Sequence, residues 1–267
     1  MYLKFLLVCL SISIISSASI KAFDGVLTQD ALVEWGFDTS SKVIDARNMG
    51  IKSIASMAFA NYNNLEILYL NDNQIENITL NSFKGLSNLN SLYLWNNGMR
   101  NIEDNSFIDL VNLETLVLAN NRLTKITSKT LKGLTKPVVL SFQYNLIATI
   151  EDNSFADLVN LEVLVLSNNR IKELTSLTFN GITQLKQLIM GSNVIDTVDD
   201  LTFRNLKNLV YLIMPENRIP KVTVELFKGL DKLESLEIYS NRVTSVDDFS
   251  FQDLKNLLNL DLGFFIF

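Results

Sequence analysis

Leu161-Glu-Val-Leu-Val-Leu-Ser-Asn-Asn169-Arg-Ile-Lys-Glu-Leu-Thr-Ser-Leu-Thr-Phe179-Asn-Gly-Ile-Thr-Gln184 is one turn of a pattern that recurs every 24 residues. Its first position recurs as Leu65, Leu89, Leu113, Pro137, Leu161, Leu185, Leu209 and Leu233. The ninth is always asparagine, at Asn73, Asn97, Asn121, Asn145, Asn169, Asn193, Asn217 and Asn241. The nineteenth is Phe83, Phe107, Leu131, Phe155, Phe179, Phe203, Phe227 and Phe251. A weaker unit in the same phase occupies 41–64, with Met49 and Phe59 at the Asn and Phe positions. That makes nine units of 24 residues, and a partial tenth begins at Leu257. A fixed period of this length specifies a solenoid, in which each unit buries its apolar face against its neighbours.

Leucines at positions 1, 4 and 6, such as Leu65, Leu68 and Leu70, predict a short strand with these side chains turned inward. Stacked in register, the strands make a parallel sheet. The position-9 amide, with two donors and two lone pairs, is expected to bond backbone groups of its own turn and of the next repeat, giving a ladder. Apolar residues at positions 11, 14 and 22 (Ile75, Ile78, Leu86; Ile171, Leu174) fill the return path. The phenylalanines form a spine whose width bends the array into a horseshoe, with the sheet on the concave side.

On these motifs the chain resembles the typical extracellular class of leucine-rich-repeat proteins: Toll-like receptor ectodomains, small proteoglycans and insect secreted leucine-rich immune proteins. The resemblance covers 41–262 and implies an α/β solenoid: a parallel concave sheet and a convex face of loops and short helices. Residues 23–40 are read as an N-terminal capping segment and 263–267 as a truncated apolar tail. The resemblance also implies a cysteine where Ala46 stands, so the first repeat needs another shield. A hairpin of Leu32–Phe37 with Lys42–Arg47 is the expected one.

A second period of 48 residues lies inside the first. Phe83-Lys-Gly-Leu, Leu131-Lys-Gly-Leu, Phe179-Asn-Gly-Ile and Phe227-Lys-Gly-Leu alternate with Phe107-Ile-Asp-Leu, Phe155-Ala-Asp-Leu, Phe203-Arg-Asn-Leu and Phe251-Gln-Asp-Leu. The acid pairs Glu103-Asp104, Glu151-Asp152, Asp199-Asp200 and Asp247-Asp248 keep the same step. Growth by duplication of repeat pairs accounts for the pattern, and the acids read as solvated surface.

Residues 1–22 have the layout of a secretory signal peptide: Lys4, the apolar run Phe5–Ile15, then small residues to Ala22. The run is too short for a membrane anchor, so the chain is expected to be secreted and extracellular. The one cysteine, Cys9, falls inside it, and removing it takes Lys4 and Lys21, moving the net charge from −6 to −8. An acidic chain without basic clusters argues against nucleic acid as a partner. There is no histidine. That removes Ser-His-Asp and Cys-His catalysis and the common zinc sites, and no glycine-rich phosphate loop is present. The chain reads as a non-enzyme with no cofactor and no metal. Asn77-Ile-Thr79 is a glycosylation acceptor.

Binding is expected on the concave face at strand positions 3, 5 and 7. Ile67, Tyr69, Tyr93 and Trp95 make one aromatic patch; Ile189, Tyr211, Ile213 and Tyr239 make a second; Val117, Val139, Val163 and Val165 give an aliphatic middle. Tyrosine and tryptophan offer large rigid area with a polar tip, the chemistry of interface anchors. Arg122, Arg170, Arg218 and Arg242 follow the Asn ladder and rim the sheet. The resulting expectation is a secreted protein-binding module of innate-immune recognition or extracellular signalling, for a protein ligand or else a glycan or microbial surface component. The alternatives are the ectodomain of a longer membrane-anchored receptor or adhesion protein, and a matrix organiser. The apolar end, with Phe264, Phe265 and Phe267 at an open edge, implies either a longer chain or a dimer through that edge.

Overall fold

The computed structural model describes residues 23–263. Ten short strands run through it in chain order: Val43–Asp45, Ile67–Tyr69, Ser91–Tyr93, Thr115–Val117, Val139–Ser141, Val163–Val165, Gln187–Ile189, Tyr211–Ile213, Ser235–Glu237 and Asn259–Asp261. They form one parallel sheet in that same order. Each residue pairs with its equivalent one repeat on, as Leu140 with Leu164. The central leucines Leu68, Leu92, Leu116, Leu140, Leu164, Leu188, Leu212 and Leu236 are fully buried and stack into the core column.

The return side is turns, with two-residue strands and no helix among the described residues beyond Gln29–Glu34. Its phenylalanines stack in two runs, Phe59–Phe83–Phe107 and Phe155–Phe179–Phe203–Phe227–Phe251, with centroids 5.9–6.4 Å apart. Leu131, buried, fills the gap between them. Strands in a sheet are about 4.8 Å apart. The wider spacing of the rings places the spine on the outside of the curve and the sheet on the inside.

The asparagine ladder is directed backwards. Asn145 Nδ2 donates to the carbonyl of Leu118, 2.9 Å away in the preceding repeat, and to Phe142 at 3.0 Å in its own. Its Oδ1 accepts from Leu123 N–H, again in the preceding repeat, at 3.0 Å. Asn73, Asn97, Asn121, Asn169, Asn193, Asn217 and Asn241 repeat this arrangement. The expected bond to the following repeat is thus corrected. The strand-ending turn presents the Leu118 carbonyl and the Leu123 N–H to the repeat that follows, so each amide locks its repeat onto the one before.

The 48-residue period is an alternation of two convex turns. In one, a glycine takes the left-handed conformation (Gly85, Gly133, Gly181, Gly229; φ 82–93°). In the other, the residue at position 17 does (Asn105, Asn153, Leu201, Phe249; φ 61–65°). The hydroxyl at position 18 changes role with the turn. Thr178 Oγ1 accepts from Thr175 N–H at 2.8 Å, whereas Ser154 Oγ donates to the Glu151 carbonyl at 2.6 Å. The two kinds interlock: Gly85 N–H donates to Asp109 Oδ2 at 3.0 Å, and Gly229 N–H to Asp253 Oδ2 at 3.2 Å. The two-residue strands pair in twos to match, Asn77–Ile78 with Asn101–Ile102 and Lys125–Ile126 with Thr149–Ile150. The acid pairs are exposed and bridge repeats, as where Leu80 N–H donates to Glu103 Oε2 (2.9 Å) and Thr223 Oγ1 to Asp200 Oδ1 (2.6 Å).

The N-terminal hairpin is not formed. Gln29–Glu34 is a helix, capped by Thr28 Oγ1 accepting from Ala31 N–H at 3.1 Å, with Asp30 in its first turn. Local capping and the favourable placement of an acid at the helix N-terminus outweigh the strand-like run of apolar residues. Val43–Asp45 instead opens the main sheet. The first repeat is covered by Val26–Leu27, paired parallel to Ser53–Ile54, and by buried Leu27 and Leu32. At the other end Leu258 and Leu260 are 84% and 42% exposed. The expectations for Cys9, the leader, Phe264, Phe265 and Phe267 lie outside the described residues.

Candidate functional site

Strand residues at positions 3, 5 and 7 share the concave face because side chains alternate along a strand. Parallel in-register pairing then places equivalent residues side by side. Tyr69 pairs with Tyr93, and their rings stack with centroids 4.8 Å apart and planes 11° from parallel. Asp45 pairs with Tyr69 from the other side. Two residues on, Arg47 turns back over the row. Its guanidinium grips Asp45 through Nε–H to Oδ1 (2.7 Å) and Nη2–H to Oδ2 (2.6 Å), and Cζ lies 5.1 Å from the Tyr69 ring centroid. The result is a continuous acid, base and aromatic stack across three strands.

Charge and burial tune this stack. The Arg47 hydrogen bonds hold the Asp45 carboxyl below the usual carboxylate range. Burial raises the Tyr93 phenol above its ordinary value, so it stays a neutral hydroxyl at physiological pH. Trp95, Tyr69, Tyr93 and Ile67 are all half-buried, each leaving part of its surface to solvent. Asp45 and Arg47 complete the patch without having been singled out beforehand. The signal was present in Asp45-Ala-Arg47, two charged residues on one face of a strand that begins the sheet.

The middle of the face differs from expectation. Val117 and Val165 are buried, at 9% and 8% exposure, while Val139 and Val163 are half-buried. Val117 and Val165 flank Ser141, which is 2% exposed, and at strand spacing they close over it. The aliphatic middle therefore offers only Val139 and Val163 as surface. The second aromatic cluster is also looser than expected. Tyr211 and Tyr239 occupy positions 3 and 7 of neighbouring strands, about 13 Å apart along the strand direction. They flank Ile189 and Ile213, which are in register and half-buried, and do not stack on each other. Tyr211, Ile213, Ile189 and Tyr239 thus form a broad, shallow surface.

Along the edge where the strands end runs a second row of polar side chains. Asn48, Asp72, Asn96 and Asn120 all take the left-handed conformation there. Asn96 Nδ2 donates to Asp72 Oδ1 and Asn120 Nδ2 to Asn96 Oδ1 (2.8 Å). Of these, Asn48, Asp72 and Asn96 line an open cleft of about 730 Å³ with Gln74, Glu76 and Arg122. Arg122, Arg170, Arg218 and Arg242 are exposed on this rim. Asn77 is exposed on the convex side, and no helix among the described residues is long and apolar enough to cross a membrane.

The leucine rich repeat family profile matches residues 43–99, 63–122, 87–137, 111–171, 159–219 and 215–264. Among solved structures, the TLR13–ssRNA13 complex is similar at 32% identity and TM-score 0.72, over 78% of this chain and 30% of that one. The Toll–Spatzle complex, a hub in Drosophila development and innate immunity, shares the fold at 17% identity and TM-score 0.60, over 79% of this chain and 36% of that one. The ectodomain of the Arabidopsis thaliana receptor kinase GASSHO1/SCHENGEN3, solved with CASPARIAN STRIP INTEGRITY FACTOR 2, shares it at 24% identity and TM-score 0.63, over 84% of this chain and 27% of that one. This chain thus spans 27–36% of the length of these chains. No curated protein matches it in a sequence search.

Proposed function

The chain belongs to the leucine-rich-repeat family, and from that premise we propose that it is an exported protein-binding module without catalytic activity, acting in innate-immune recognition or extracellular signalling. The observation that carries the reading is the Asp45–Arg47–Tyr69–Tyr93 stack beside Trp95, fixed on a rigid sheet and still half-exposed. A pre-organised aromatic surface loses little side-chain entropy on binding. A net charge of −6 favours protein over nucleic acid as the partner. The leader-like residues 1–22 and the Asn77 acceptor support an extracellular setting. Because the chain spans 30% of the TLR13 chain it resembles, the ectodomain of a longer receptor is the second reading; the complete transcript distinguishes the two.

The test is a selection of binders from a displayed peptide library against the purified chain, followed by competition with variants. Tyr93→Arg and Ile213→Arg on the concave face should abolish most binding, and Glu151→Arg on the convex side should leave it intact. Binders indifferent to both concave changes would sink the proposal. The strand Asn259–Asp261, with Leu258 and Leu260 exposed, is a candidate surface for pairing with a second copy. Light scattering of Leu258→Lys/Leu260→Asp against the parent chain should then show lost dimer, and a parent that is monomeric throughout excludes it.

A further inference from the structure

Asn71 is 1% exposed, and its Oδ1 is the one buried side-chain nitrogen or oxygen among the described residues that lacks a hydrogen-bond partner. Beside an asparagine ladder whose amides are satisfied at both oxygen and nitrogen, such a group calls for an explanation. Its orientation is fixed by chemistry: Nδ2 donates to Asp72 Oδ2 at 2.6 Å, and flipping the amide would set oxygen against carboxylate. Asn71 occupies position 7 of its strand, the concave row that also holds Arg47 and Trp95 in the adjoining repeats. It therefore stands at the junction of the aromatic stack and the polar cleft that Asp72 lines.

Apart from one N–H of Asn71 Nδ2, the hydrogen-bonding capacity left on Asn71 and Asp72 is acceptor capacity. Asn71 Oδ1 has two unused lone pairs, and the Asp72 carboxylate, with about four acceptor sites, takes one bond from Asn71 and one from Asn96. The row neighbours are Trp95, which is half-buried, and Arg47, whose guanidinium already lies over Tyr69 and is neutralised by Asp45. Unused acceptors with a tryptophan next in the row, in an acidic protein, match a group that donates and carries positive charge. Resting on the concave-face reading above, we propose that Asn71, Asp72 and Trp95 form a subsite for an arginine side chain of a basic protein segment. The guanidinium donates to Asn71 Oδ1 and the Asp72 carboxylate and stacks on the Trp95 ring. Entry requires a side-chain shift at Trp95 or Arg47, the two row neighbours of Asn71, of the kind common at interfaces.

The probe is a fluorescein-labelled arginine homopeptide, titrated into the purified chain at low and at physiological salt, with anisotropy as the readout. Asn71→Leu keeps the charge and nearly the shape, so its expected effect, about tenfold weaker binding, reads the missing acceptor and not general acidity. Trp95→Ala should weaken binding comparably, and Glu151→Gln on the convex side should leave it unchanged. Circular dichroism melts confirm that each variant folds. Asn71→Leu binding like the parent, Glu151→Gln weakening it as much, or an Asn71-dependent preference for a neutral oligosaccharide would each overturn the proposal. The layers separate cleanly. If library binders still fail on Tyr93→Arg while the arginine peptide ignores Asn71, only the subsite is wrong; if no binder responds to concave changes, the concave reading has failed as well.

Discussion

Asn145 Nδ2 donates to the carbonyl of Leu118 across 2.9 Å and twenty-seven residues, joining the turn of one repeat to the end of the strand before it. Eight such amides make the solenoid a chain of nearest-neighbour locks, so loss of any one is felt locally and at full cost.

Asn145→Ala leaves the buried Leu123 N–H without its acceptor and takes one of two amide donors from each of the Leu118 and Phe142 carbonyls, which keep Asn121 and Asn169. It should lower unfolding free energy by about 2 kcal/mol or more. Ile213→Ser, half-buried on the concave face, should cost about 1 kcal/mol or less. Urea midpoints of the two variants decide this, and equal shifts would mean that the ladder is not what holds the repeats together.

Gly181→Ala and Gly229→Ala separate backbone strain from crowding. Both glycines are left-handed, with φ of 93° and 82°, so each alanine loses about 1–2 kcal/mol. Only at position 181 would the new Cβ fall 2.4 Å from the Ala156 carbonyl oxygen; at 229 the nearest atom is 3.8 Å away. Thermal melts should show Gly181→Ala lower than Gly229→Ala by several degrees or more, roughly what a further 1–2 kcal/mol produces in a domain of this size.

Acid should strip the contribution of Asp45. Its carboxyl titrates below the ordinary range because Arg47 hydrogen-bonds the charged form. The stability it adds is therefore present above about pH 4 and lost as pH falls through the lowered folded value. Melting temperatures should place the parent above Asp45→Asn near neutrality, with the gap closing in acid. A gap that is constant with pH would show that the ion pair does not carry the effect.

Asn77 should bear a glycan when the chain is exported from a eukaryotic cell. The side chain is exposed at the start of the two-residue strand Asn77–Ile78, and Thr79, partly buried, bonds Ser82 Oγ at 3.1 Å through its hydroxyl. Amidase treatment should lower the mass of the secreted chain and leave Asn77→Gln unchanged. Retention inside the cell of the unglycosylated chain would contradict both the export and the acceptor.

The 24-residue period by itself determined the solenoid, the parallel in-register sheet and the inward leucines, because a repeated pattern has one way to bury its apolar face. It also determined which residues share the concave face, since alternation along a strand is a matter of counting. Direction and depth were decided only in three dimensions. The ladder amides are symmetric in donor and acceptor number, so only the placement of Leu118 and Leu123 showed that they bond backwards. Val117 and Val165 read as surface in the sequence and become buried because neighbours at strand spacing close around Ser141. The 48-residue period was legible as a pattern, yet its meaning, two turns that put the left-handed residue at different positions, depends on torsions no composition states. Arg47 lying over Tyr69, and Asn71 left with an unanswered oxygen, arise from side chains that meet only after three separate repeats have stacked.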